Sequence, residues 1–299
     1  KELKKGHRME TETLPFLHKD RPRKDFSLIR DVCDYILSHR FKNPKRDDSV
    51  CGVFIDGRKR HINTLEDFAA ILSFKSFSAY NFPVFCFIHD DTNFLGGMSK
   101  DQLEMLRIEI IKIPEITSLE EYTKFCIQDL YIRIPEHIEY VLTLQPDGML
   151  IKDGWEEFAI GNQFDWVSPH WQHQAGVGVI SPSDDLEKLV VSPPYSNVNI
   201  GNGGFSFRKR EKMVQICKAF NFLRCCELGR DDFRIPMEDL FFTYFGFGSG
   251  IITPPTLRQC DEFAVDPMTR ELFDSGKDNW PFGFHCFNHE ADFKHIDHA

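Results

Sequence analysis

The chain has 299 residues with 36 Lys plus Arg against 46 Asp plus Glu, so its formal net charge is −10; 41% of residues are hydrophobic and 27% charged. Those proportions belong to an ordinary soluble globular protein, and the acidity excludes a nonspecific nucleic-acid binder, whose affinity comes from clustered Lys and Arg on phosphates. Phenylalanine is in excess, 29 residues of 299, so large rigid rings are expected to fill much of the interior.

Residues 1–24 carry eight basic side chains against four acidic ones, a local charge of +4 that leaves −14 on the rest. The plain reading is a solvated arm; the sharper one is a contact to an anionic membrane surface, at its inner face, or to a neighbouring domain. Phe26, Ile29, Val32, Cys33, Ile36 and Leu37 then repeat at helical spacing. Val50 to Ile55 reads as a strand ending in Asp56-Gly57, and Thr64 opens a helix through Phe68, Ile71 and Leu72. Val84 to Ile88 is a second strand, ending in His89-Asp90-Asp91, and Leu106 to Ile113 a third. Ser118-Leu119-Glu120-Glu121 is a capping box for a helix carrying Tyr122, Phe125, Cys126 and Leu130. Tyr140 to Leu144 is a strand running into Gln145-Pro146-Asp147.

Strands separated by helices of this length predict a mostly parallel α/β sheet whose ligand lies beyond the carboxyl ends of the strands. Residues 169–200, with four prolines and little periodicity, read as a long loop. Helices return at 210–222 and at 236–245, where Pro236 suits a first turn. No linker follows residue 25, so residues 25–299 are read as one domain.

Nine scattered cysteines without a C-x-x-C pair argue against a disulfide scaffold and for a reducing, cytoplasmic setting. There is no run of 18 apolar residues and no signal-peptide core, so neither a membrane span nor secretion is expected.

Four constellations carry chemistry. Gln145 and Asp147 end an apolar strand two residues apart, so both oxygens reach the same edge and suit a hard divalent cation; a plain polar turn is the alternative. Gly201-Asn202-Gly203-Gly204-Phe205-Ser206-Phe207-Arg208 is either a tight turn or a floor for a sugar or diphosphate, with Asn202 and Ser206 as hydrogen-bonding groups. Glu238-Asp239 lies on the first turn of a greasy helix, as dipole partners or as a general base with a helper acid. His285 ends Trp280-Pro281-Phe282-Gly283-Phe284, as a core histidine or as a metal ligand. Gly246-Phe247-Gly248-Ser249-Gly250 follows a helix and is read as its cap. P-loop, G-x-S-x-G and H-E-x-x-H patterns do not occur.

The order strand, Q-x-D, long loop, GNGGFSFR, helix, ED-x-FF, PFGFH resembles the glycosyltransferase-like family long catalogued as a domain of unknown function, with the GT-A fold. The resemblance runs from about Val50 to His285 and includes Glu139-Tyr140-Val141-Leu142 and Phe164-Asp165-Trp166-Val167-Ser168-Pro169. It implies a donor half at about 50–150 and an acceptor half at about 160–290. Asp147 with Gln145 would take the D-x-D position and, with His285, hold Mn²⁺ or Mg²⁺; Gln145 is a neutral ligand where that motif has an acid. Asp239 would be the base of an inverting transfer of a hexose type, and Glu238 would hold an acceptor hydroxyl.

Asp56, Arg58 and Asp90 are placed at the nucleotide by position, with Gly203 and Gly204 under the donor. Asn202, Ser206, Trp171 and Trp280 are placed at the acceptor, the two tryptophans as stacking surfaces. The partners implied are a nucleotide-sugar donor and a saccharide or glycoconjugate acceptor. Two other functions compete: a GT-A-fold binding module without turnover, motivated by Gln145, and a sugar nucleotidyltransferase, which would need a glycine-rich loop after the first strand. The phenylalanines flanking each motif are expected to brace its polar groups.

Overall fold

A computed structural model describes residues 26–39, 48–58, 72–74, 82–89, 98–145, 148–180, 191–220 and 237–285. Its helices are α1 (Phe26–Ser38), α2 (Lys100–Met105), α3 (Leu119–Phe125), α4 (Trp155–Gly161), α5 (Arg210–Ala219), α6 (Glu238–Phe241), α7 (Leu257–Phe263) and α8 (Arg270–Asp274). Its strands are β1 (Val50–Asp56), β2 (Val84–Ile88), β3 (Ile108–Lys112), β4 (Tyr140–Leu144), β5 (Gly148–Leu150), β6 (Trp166–Val167), β7 (His170–Ile180), β8 (Val191–Ile200), β9 (Phe207–Lys209), β10 (Ala264–Val265) and β11 (Gly283–His285).

The main sheet has the order β3-β2-β1-β4-β9-β6, with β3, β2, β1 and β4 parallel and β9 running antiparallel to both β4 and β6. The central strands β1, β2 and β4 are apolar almost throughout because helices cover both faces. Alternation along β1 sends Val50 and Phe54 to one face, with Trp155 and Phe263, and Cys51 and Val53 to the other, with Phe125, Met213 and Phe241. This mostly parallel α/β sheet flanked by helices is the class expected from the alternation of elements. A smaller sheet, β10-β11-β5, sets His285 opposite Gly148. α1 closes its far side through Leu28, Val32 and Ile36 against Met149, Trp280 and Phe284.

Two helices widen where they approach the carboxyl edge. α3 continues as a π-helical turn, Cys126–Leu130, before Tyr131–Arg133, and α6 continues as another, Phe242–Phe247. Turns of this kind insert a residue and re-aim the side chains that follow. Gly248–Gly250 then ends the second helix, in keeping with its glycines, with Gly250 at φ 73.

Three expectations change. The third strand starts at Ile108, because Ser99 and Gln102 cap α2 and Arg107 turns the chain at φ 54. Residues 169–200 are largely an antiparallel pair, β7 with β8, and not a loop. The helix expected from Ser118 does start there, its Oγ accepting from Glu121 N–H at 3.1 Å, but the Glu121 carboxylate accepts chiefly from Thr117, one residue before the cap. The basic arm 1–24, the helix opening at Thr64, and Pro236 lie outside the described residues. Among the described residues no helix is long and apolar enough to cross a membrane, and the six cysteines are free thiols.

Candidate functional site

Gln145 leaves the carboxyl end of β4, and β11 brings His285 against it from the small sheet: His285 Nε2 lies 3.2 Å from Gln145 Oε1. On the other ring nitrogen, Nδ1 is 3.1 Å from Asp266 Oδ2, an oxygen that also accepts from Asn202 Nδ2 at 2.6 Å. Asn202 Oδ1 in turn accepts from Gly204 N–H at 3.0 Å, which fixes the amide so that Nδ2 is the donor. A carboxylate on Nδ1 calls for a proton there and leaves the Nε2 lone pair aimed at Gln145.

With Nδ1 facing Asp266 and, at 3.3 Å, Asn202 Nδ2, a protonated ring would donate from Nε2 to Gln145 Oε1, whereas a ring carrying its proton on Nδ1 alone would set two acceptors side by side. The 3.2 Å separation is that of an ordinary hydrogen bond. Among the described residues no three His, Cys, Asp or Glu side chains meet at a metal-sized point. Gln145 and His285 bring one oxygen and one ring nitrogen together at this edge. Asp147 and Asp90 lie outside the described residues.

The loop before β9 carries the close approaches its glycines signal. A Cβ on Gly204 would collide with the His285 ring, and one on Gly203 with the Glu238 carboxylate. The atoms that come close are the protein's own, so neither glycine is an open floor for a donor.

Behind the loop lies a buried charge cluster. Arg208, 1% exposed, donates from Nε to Ser206 Oγ at 2.8 Å, from Nη1 to Tyr131 Oη at 2.9 Å and from Nη2 to Glu238 Oε1 at 3.2 Å. Its guanidinium carbon stands 4.4 Å from the Trp166 ring centroid and 5.5 Å from that of Phe242. Burial works against this charge, yet Tyr131 and Glu238 hold the Arg208 pKa above its ordinary value. Beside Glu238, Asp239 is pushed up to about 7, first by burial and then by the Glu238 carboxylate, while Leu240 N–H, Arg208 and His285 pull the other way. A half-buried carboxylate poised near neutrality is equipped to take a proton.

A family model described as a protein of unknown function, DUF5672, matches residues 105–285, more than half of the chain. The chain belongs to this family. The matched segment of the DUF5672 chain holds Gln145, the glycine loop, Arg208, Glu238, Asp239, Asp266 and His285, whereas Asp56 and Arg58 precede it. No match is found among curated proteins. Of solved structures, mouse xyloside xylosyltransferase 1 in its apo form is similar at TM-score 0.43 and 10% identity, covering 81% of this chain and 98% of that one. HddC from Yersinia pseudotuberculosis gives TM-score 0.30 at 10% identity, covering 56% and 80%. Likenesses at these scores assign no residue.

Other expected residues of the DUF5672 chain are engaged by the protein's own groups. Ser206 is fully buried, and its Oγ meets Thr143 Oγ1 at 2.9 Å and Arg208, so it braces the loop and does not face an acceptor. Asn202 is buried and positions His285 and Asp266. Trp280 is core: it stacks on Phe273 at 4.9 Å, meets Tyr35 edge-on at 5.0 Å and donates Nε1–H to Phe273 O. Trp171 is half-buried, its ring over Gly201. Asp56 grips Arg58 at the end of β1. Of the braces expected beside each motif, Phe205, Phe207, Phe241, Phe242 and Phe284 are buried. Arg208 and Asp266 join the site with no role expected of them from sequence.

Proposed function

We propose that this chain is a glycosyltransferase that moves a sugar from a nucleotide-sugar donor to a hydroxyl of a saccharide or glycoconjugate acceptor, with inversion at the anomeric carbon. The observation that carries this reading is Asp239, a carboxylate raised to about 7 and felt electrostatically by His285, which itself reaches Gln145 at the carboxyl edge of a parallel sheet. Gln145 and His285, with Asp147, would hold Mn²⁺ or Mg²⁺, and a bound cation supplies Lewis-acid stabilisation of the charge on the departing diphosphate.

The rest falls to the chain's own groups. Asp239 takes the proton of the acceptor hydroxyl as its oxygen attacks the anomeric carbon, on the face opposite the diphosphate; the bond to the acceptor forms while the bond to phosphate breaks, and the configuration inverts. Asp266 and Asn202 hold the His285 ring in place. Arg58, joined to Asp56, is assigned to the nucleotide by its place after β1, and Asp90 by its place in the sequence after β2. Trp171 stacks on the acceptor sugar. Free thiols support a reducing, cytoplasmic setting, and the basic arm supplies a contact to an anionic membrane surface or a neighbouring domain.

The test is release of nucleoside diphosphate from a panel of nucleotide sugars with Mn²⁺, with and without saccharide acceptors. Turnover should rise with pH as Asp239 loses its proton near 7, and Asp239→Asn should lose about 10²–10⁴-fold and with it that limb of the profile. Asp147→Ala should abolish metal dependence. Pyrophosphate as the product would make the chain a nucleotidyltransferase, and nucleotide binding without turnover would make it a binding module.

A further inference from the structure

Glu238 offers one oxygen more than its partners use. Oε1 accepts from Arg208 Nη2, whereas Oε2 has no hydrogen-bond partner among the described residues, and the residue is 8% exposed. A buried acceptor left in that state is costly, so a native structure that keeps one calls for a donor from elsewhere.

Glu238 is one of the residues that line a cleft with room of about 20 Å³, together with Ile55 of β1, Thr143 and Gln145 at the end of β4, Gly203, and Tyr122 and Cys126, whose side chains hydrogen-bond to each other. That volume admits one group the size of a water molecule or a hydroxyl. Thr143 does not supply the donor, because its Oγ1 is committed to Gly203 O at 2.9 Å and to Ser206. The cleft sits at the carboxyl ends of two adjacent parallel strands, the side of such a sheet where a ligand binds. It shares Gln145 with the candidate ligand pair, which places it on the donor side of the site.

We propose that Glu238 Oε2 accepts a hydrogen bond from one hydroxyl of the transferred sugar, so that the site takes donors bearing a neutral hydroxyl at that position. Arg208 already balances the Glu238 charge, so the niche presents a neutral ion pair with one free acceptor. A hydroxyl suits it; an ammonium gains little there, and a carboxylate or phosphate would meet its lone pairs. Glu238 thereby moves from the acceptor side, where the family resemblance places it, to the donor side, and from a helper of the base to a determinant of sugar specificity. This rests on the glycosyltransferase reading.

The experiment is calorimetric titration of the full chain with Mn²⁺ and UDP-glucose, UDP-galactose and GDP-mannose, each beside its monodeoxy analogues, together with a hydrolysis assay of the parent donors. For a donor that binds, one deoxy position should weaken wild-type binding by about 10- to 100-fold. The same deletion should cost less than about threefold in Glu238→Gln, since two changes to one hydrogen bond are not additive. If Glu238→Gln does not fold, Glu238→Asp, which withdraws the carboxylate by one methylene, serves in its place. Equal losses in wild type and variant overturn the subsite while hydrolysis by the wild type leaves the glycosyltransferase reading standing. Absence of both binding and hydrolysis for every donor overturns both.

Discussion

Two arginine–carboxylate pairs, one at the end of β1 and one behind β9, have unequal access to water. At the end of β1, Arg58 meets Asp56 with both arms of its guanidinium, Nε to Oδ1 at 2.9 Å and Nη2 to Oδ2 at 3.1 Å, and the arginine side chain is 50% exposed. Behind β9, Arg208 meets Glu238 through one arm at 3.2 Å, out of reach of water and between two aromatic rings. The better geometry belongs to the weaker pair. Water screens the outer one from the arginine side, so that it stabilises the fold by about 0–1 kcal/mol. The inner pair has no solvent to fall back on, so its worth lies in what its loss would strand: a bare carboxylate beside Asp239, a loop without its tie, and Tyr131 without its partner.

The contrast is open to direct attack. Arg208→Met, apolar and of similar length, should destabilise the chain by about 3–5 kcal/mol in urea unfolding, because Glu238 is left buried and unpaired; a loss under about 1 kcal/mol would put Arg208 on the same footing as Arg58. Asp239→Asn follows. With its folded pKa raised from 3.8 to about 7, Asp239 contributes stability that is fully present below 3.8 and is lost as pH rises through about 7. The asparagine variant has no proton to lose, so thermal melts should show it gaining on wild type between pH 5 and pH 8, by at most roughly 1.4 kcal/mol for each pH unit crossed below 7. Parallel curves would mean that Asp239 sits in water and not in the interior that Arg208 shares. The smallest effect is expected from Arg58→Ala, below about 1 kcal/mol by the same unfolding assay.

How much of this is legible beforehand depends on which atoms make the signal. Apolar runs announce strands buried on both faces, so β1, β2 and β4 can be read from Val, Ile, Leu and Phe alone. The prolines at 193 and 194 point to a loop, yet β8 carries them where its pairing with β7 shifts register, between the Val179–Ser192 and Val177–Ser196 pairs, so they fall where the regular ladder is interrupted. Glycine reports that something comes close without saying what. At Gly203 and Gly204 the neighbours are Glu238 and His285, long-range partners that no local pattern names. Arg208 does leave a trace: it alternates with Ser206 against Phe205 and Phe207, a cation spaced to share an inward face with a hydroxyl. Asp266 leaves none, since its importance lies in a distance to His285 set by two short strands. Trp280 illustrates the reverse error, for an indole looks the same in sequence whether it stacks on a sugar or on Phe273.

The widened turns after α3 and α6 have a consequence for how this site can vary. Tyr131 follows one of them directly and Phe242 opens the other, and both reach the same guanidinium. If Cys126–Leu130 wound in the ordinary α pattern at unchanged length, the same residues would turn further and carry Tyr131 around the axis by roughly a quarter turn. In these turns the number of residues and the hydrogen-bond pattern together set where the side chains that follow point.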